Sequence, residues 1–209
     1  MQRIIINLLI IASFGASCSI TKTDINNIKS DLKIWSDKST VQKAIEFEKS
    51  LSDEFEILKH NIYLSKSVFP LLDEYKIAKP FIVKRKQTGF LPIYAEYFFS
   101  ERDSILRYVS YDWERDKHGS IFKRKEISKE ESTKLKEYNK EYEKIKSELM
   151  KKFGRAKEQD SKPEITKSTG RGDYLSRNTI WETEEFHAEL NMIFGSMTYR
   201  IRLNYYWKK

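Results

Sequence analysis

Cysteine occurs once in these 209 residues, at Cys18, so the chain has no pair from which to build an internal disulfide framework. Histidine occurs three times, at His60, His118 and His187. These are far apart and lack acidic or cysteine partners at ligand spacing, which excludes a zinc-site reading. The seven glycines form neither a phosphate-cradling loop nor a Gly-x-Ser-x-Gly turn, so nucleotide-binding and nucleophilic-hydrolase classes have no motif. No cofactor and no metal are expected. Long apolar runs are missing too: the longest, Ile4 to Phe14, is interrupted by Asn7 and Ser13, and spanning a bilayer takes about 20 helical residues.

Charge and aromatic rings are what the chain has in quantity. Its formal net charge is +8, and 13% of its residues are aromatic within a hydrophobic content of 39%. That is enough apolar material for a core and excludes disorder by composition. The basic balance and the clusters Lys84-Arg85-Lys86, Lys123-Arg124-Lys125, Lys151-Lys152 and Lys208-Lys209 are candidate phosphate contacts. However, Lys84-Arg85-Lys86 alternates along a strand, and Lys151-Lys152 falls in the last turn of a helix, where cations suit the dipole. No nucleic-acid partner is expected.

At the amino terminus, Arg3 supplies one cation ahead of Ile4–Phe14, and the small residues Gly15-Ala16-Ser17 precede Cys18. A positive start, a short apolar run and small residues describe a secretory signal peptide over 1–17. The stretch Gly15-Ala16-Ser17-Cys18 resembles the lipobox of bacterial lipoproteins, with Gly15 where that family usually has Leu. The resemblance covers the signal segment only. It implies cleavage before Cys18, a diacylated thiol and an acylated amino group, so that the thiol is consumed by the anchor. Each buried methylene contributes about 0.8 kcal/mol, which makes such a membrane anchor essentially permanent. Ser19 stands where lipoproteins retained in the inner membrane usually have Asp, which implies the outer membrane, with the domain in the periplasm or facing outward.

Four regions are expected: the signal peptide over 1–17, a lipid-anchored linker over 18–23, a helical segment over 24–78 and a sheet domain over 79–209. Ile25, Ile28, Leu32 and Trp35 recur at helical spacing. A second helix is expected from Ser39, with the stripe Ala44, Phe47, Leu51, Phe55, Leu58 and Ile62, and a third between Pro70 and Pro80. From Phe81 the period becomes two, predicting strands over Phe81–Lys86, Leu91–Phe99 and Ile105–Trp113, with a weak fourth over Ile121–Ile127. Ser128–Gly154 reads as one long helix with Ser128 and Glu131 as a capping box and the stripe Leu135, Tyr138, Tyr142, Ile145, Leu149 and Phe153. The polar stretch Arg155–Asp173 reads as a long loop. Three final strands follow over Tyr174–Thr183, Phe186–Phe194 and Thr198–Trp207, with Gly195-Ser196 as a hairpin turn. The fold class is therefore α+β: N-terminal helices, then an antiparallel sheet of two meanders separated by one long helix.

For chemistry, the nearest approach to an enzyme site is Asp112 and Glu114, on one strand face and about 7 Å apart, the spacing of an inverting carboxylate pair. Mixed charge at a hairpin end is the plainer account of them. Arg171-Gly172-Asp173 spells an adhesion tripeptide in a basic loop, where glycine and charge are ordinary. On the last strand Tyr199, Ile201, Leu203, Tyr205 and Trp207 alternate with Arg200, Arg202, Asn204 and Tyr206. The second set presents Arg200, Arg202 and Tyr206 as a wet face able to bind an envelope protein, a glycan or an anionic lipid. These features favour a membrane-anchored, non-enzymatic binding or structural lipoprotein. The alternatives are an envelope enzyme acting on glycan or lipid, and a protective lipoprotein that binds a toxin or hydrolase.

Overall fold

The computed structural model describes residues 32–51, 55–85, 91–114, 131–167, 173–195 and 198–208. Two helices, α1 (Val41–Leu51) and α2 (Glu131–Phe153), accompany nine strands: β1 (Phe55–Leu58), β2 (Phe81–Arg85), β3 (Ile93–Phe99), β4 (Leu106–Glu114), β5 (Glu158–Gln159), β6 (Glu164–Thr166), β7 (Tyr174–Glu182), β8 (Phe186–Gly195) and β9 (Thr198–Trp207). All nine belong to one antiparallel sheet of order β1-β2-β3-β4-β9-β8-β7-β5, with β6 also pairing β7. Each three-stranded meander is built by short connections, and the two join through their last strands, Val109 opposite Tyr205 and Tyr111 opposite Leu203.

Alternation decides which face each side chain takes. Ala95, Tyr97, Val109, Tyr111, Trp113, Trp181, Leu190, Met192, Ile201, Leu203 and Tyr205 point to one side and form the main core. Over this side lies α2, whose stripe Tyr138, Tyr142, Ile145 and Leu149 is buried, flanked by Leu135 and Phe153. Each such fully buried large side chain contributes about 1.5–3 kcal/mol. The Tyr142 hydroxyl reaches Thr179 Oγ1 at 2.7 Å, and Phe153 packs on Trp181 and Tyr205 at 6.0 and 5.5 Å. Gly154 ends the helix with φ +80, a conformation that costs glycine nothing, and its N–H closes on Met150 O.

The α+β class and the six long strands follow the sequence periodicity, but the amino-terminal half needs correction. The first expected helix lies partly outside the described residues, and Leu32–Trp35 is not helical. The second stops at Leu51, and Phe55–Leu58 becomes strand β1 on the edge of β2. Between Pro70 and Pro80 there is only a single 3-10 turn, Leu72–Glu74. The polar loop 155–173 contains β5 and β6, both paired with β7. Arg177 on β7 fixes that stretch under α2: its guanidinium donates to Asp160 O and Ser161 O at 3.1 and 3.0 Å and to Asn139 Oδ1 at 2.8 Å, and pairs with Glu143. Gly195 is the last strand residue, paired with Thr198, and a Cβ there would meet Tyr174 Cβ at 2.4 Å. The close strand approach is what requires glycine at this position. Ile121–Ile127, Ser128, the Glu131 side chain and Arg171-Gly172 lie outside the described residues.

Candidate functional site

On the side of the sheet opposite α2 the alternation delivers polar residues to the centre. Lys84, Tyr94, Asp112, Arg202, Asn191 and Asn178 stand in one cross-strand row over six strands. The neighbouring row holds Glu96, Ser110, Asn204 and Glu189. Cross-strand neighbours at this spacing interact directly. Arg202 grips Asp112 with both arms, Nε to Oδ1 at 2.5 Å and Nη2 to Oδ2 at 2.8 Å. Asn191 donates to Asn178 Oδ1 at 2.5 Å, and the Tyr108 hydroxyl donates to Asn204 Oδ1 at 2.6 Å.

Burial tunes these groups. It disfavours the Arg202 cation, yet the Asp112 charge and its hydrogen bonds prevail and raise the pKa. Arg200 moves the other way: burial and the neighbouring Arg202 charge lower its pKa despite Asp112, Glu114 and Glu96, and its buried Nε has no hydrogen-bond partner among the described residues. Burial also raises the Glu189 pKa, opposed by Asn204.

The structure places Arg200, Arg202 and Tyr206 on this one side, as the alternation predicts, but corrects the expectation of a solvated surface. Tyr206 is only 9% exposed. Residues 62–77 fold across that end and bury Phe69, Phe98, Tyr108 and Tyr206 as a second core, with Phe69 5.5 Å from Tyr206. Arg202 is committed to Asp112. Asp112 and Glu114 do share a face, but the Asp112 side chain is fully buried in its ion pair, a poor position from which to move protons to a substrate. Cys18 lies outside the described residues.

No family model, curated protein or solved structure matches the chain. Among the described residues, no three His, Cys, Asp or Glu side chains gather as a metal ion would require, and no helix is long and apolar enough to cross a membrane.

The open site in this region is a groove of about 460 Å³ beside the second core, within the size range of small-molecule sites. Ile62, Leu64, Leu72, Tyr75, Ile77 and Phe98 supply its apolar walls. Periodicity could not have announced it, because its walls come from an irregular segment laid over a strand.

His187 lies at the opposite edge of the second core, stacked on Tyr206 with centroids 5.0 Å apart. Burial lowers its pKa from 6.5; Glu182 opposes this, while Lys208 and Lys157 add to it. As pH falls through 6.5 the unfolded chain takes up the proton first. The associated stability is therefore complete above 6.5 and is lost as pH drops through the lower folded value. Hydrogen bonds from Lys157 and Lys208 hold Glu182 down to about 2, so its own loss begins only below 4.5. His187→Phe keeps the stack and is expected to flatten the fall in urea midpoint between about pH 7 and 5. A profile parallel to wild type would remove His187 from the account.

Proposed function

We propose that this chain is a membrane-anchored lipoprotein of the bacterial envelope, held at the outer membrane through Cys18, whose sheet domain binds a ligand or partner and catalyses nothing. The observation that carries the reading is the stretch Gly15-Ala16-Ser17-Cys18 after a short apolar run, with no other cysteine in the chain. The binding role is supported by a walled groove open to solvent. The enzyme reading loses ground because Asp112, the carboxylate best placed for acid–base work, is locked by Arg202.

The test is mass spectrometry of the mature protein from its own membrane fraction, compared with Cys18→Ala. An acylated terminus beginning at Cys18, lost together with membrane retention in the variant, is the expected result. A soluble chain with an unmodified thiol would end the lipoprotein reading.

A further inference from the structure

Three properties of the groove under residues 61–80 specify its ligand more closely than a general binding role. Its walls are apolar, with Ile62, Leu64, Leu72, Ile77 and Phe98 contributing aliphatic and aromatic surface. Among the described residues, Lys79 is the one charged residue in its lining, and no carboxylate lines it. The walls are also braced by contacts within the protein. Tyr75 is stacked against Phe69 at 6.3 Å and covered by the Arg107 guanidinium at 4.2 Å. Arg107 is in turn paired with Asp103. Ile77 bridges to Ser100, and Ala78 N–H donates to Phe99 O at 2.9 Å. A site whose walls are braced by the protein's own contacts spends little of its binding energy on ordering.

We infer that this groove takes the single acyl chain of a free fatty acid, with the chain against Leu64, Leu72 and Ile77 and the carboxylate at Lys79. The lining is mostly aliphatic, with Asn61, Tyr63 and Tyr75 as its polar neutral residues, and suits an alkyl chain better than a glycan, most of whose hydroxyls would be left without partners. The lone cation at its edge selects an anionic head over a neutral one. The ring of Tyr63, 87% accessible, also lines the groove. The inference rests on the binding part of the proposed function and not on the anchor.

The experiment uses the full chain, taken from whichever fraction holds it, and palmitic acid bearing a diazirine in its chain, with the diazirine palmitate methyl ester as the neutral control. After photolysis, the label is mapped by peptide mass spectrometry. The acid is expected to label peptides carrying residues 61–80, exceeding the ester by up to about fivefold, the most that one exposed ion pair supplies. Lys79→Gln should bring the acid down to the ester, and Leu72→Glu should remove both. Lys79 is exposed, so its variant carries the test even if Leu72→Glu does not fold. Label outside these peptides, or acid labelling that Lys79→Gln leaves unchanged, overturns the inference. Labelling is repeated on Cys18→Ala. A failed anchor changes fractionation and spares the label, whereas a failed groove loses the label and spares the acylated terminus.

Discussion

Arg85→Ala is expected to lower the unfolding free energy by about 3–5 kcal/mol, the cost of leaving a buried charge without its partner. That charge is Glu48 on α1, whose side chain is fully buried. Arg85 supplies it with two hydrogen bonds, Nε to Oε2 at 2.7 Å and Nη2 to Oε1 at 2.6 Å. The Tyr97 hydroxyl donates to the same carboxylate. Because Tyr97 is thereby committed as a donor, the 2.9 Å contact with Tyr111 has Tyr111 donating, and Tyr111 in turn accepts from Trp35 N–H at 2.7 Å. The remaining arm of Arg85 reaches Lys33 O at 2.6 Å. One guanidinium therefore fastens α1 and the stretch 33–35 to the sheet. Urea unfolding followed by circular dichroism measures the loss. The paired replacement Arg85→Met with Glu48→Leu is expected to be more stable than Arg85→Ala alone, since removing both charges leaves neither stranded. Equal stability of wild type and Arg85→Ala would mean that the network holds nothing.

Arg202→Ala is expected to cost a similar amount, about 3–5 kcal/mol, because it takes the bidentate cation away from the buried Asp112 carboxylate at the centre of the opposite face. The Asp112 side chain is fully buried and Arg202 spans both its oxygens. Its strand neighbour Arg200 is expected to behave differently. Burial lowers the Arg200 pKa, Arg202 repels it and its Nε has no partner among the described residues. Arg200→Ala is therefore expected to change stability by no more than about 1 kcal/mol. Urea midpoints of the two variants, measured side by side, separate a face built to hold the sheet together from one held open for a partner. Equal losses would show that the Asp112 pair has no special weight.

What could be read from the residues was decided by local pattern. The stripe of α2 and the clean alternation of β7 to β9 are strong periodic signals, and the structure follows them closely. The stripe Ala44, Phe47, Leu51, Phe55, Leu58 and Ile62 misleads because its three- and four-residue steps run past the end of α1. Phe55–Leu58 takes its form from a neighbour, Phe55 lying opposite Arg85 and Leu58 opposite Ile82. Tertiary pairing there overrides a helical spacing. The Arg85–Glu48 pair had a visible signal that the basic-cluster reading obscured. Phe81, Val83 and Arg85 alternate onto the core side, and an arginine in that series requires a buried anion. The polar stretch 155–167 gave no signal, since β5 and β6 exist only by pairing with β7 and by the carbonyls that Arg177 gathers.

The joining of the two meanders through β4 and β9 also sets the order of assembly. Each meander is local, whereas Asp112 and Arg202, which meet across the join, are 90 residues apart in sequence. Contacts of such separation form late, because the loop between them must be closed first. A chain that emerges amino terminus first therefore holds β4 as a bare edge, with the carboxylate of Asp112 still solvated, until the last strand arrives to cover it. During that interval the half-built sheet is open to pairing with another copy of itself, and the arrival of β9 closes the edge and supplies the guanidinium in a single step.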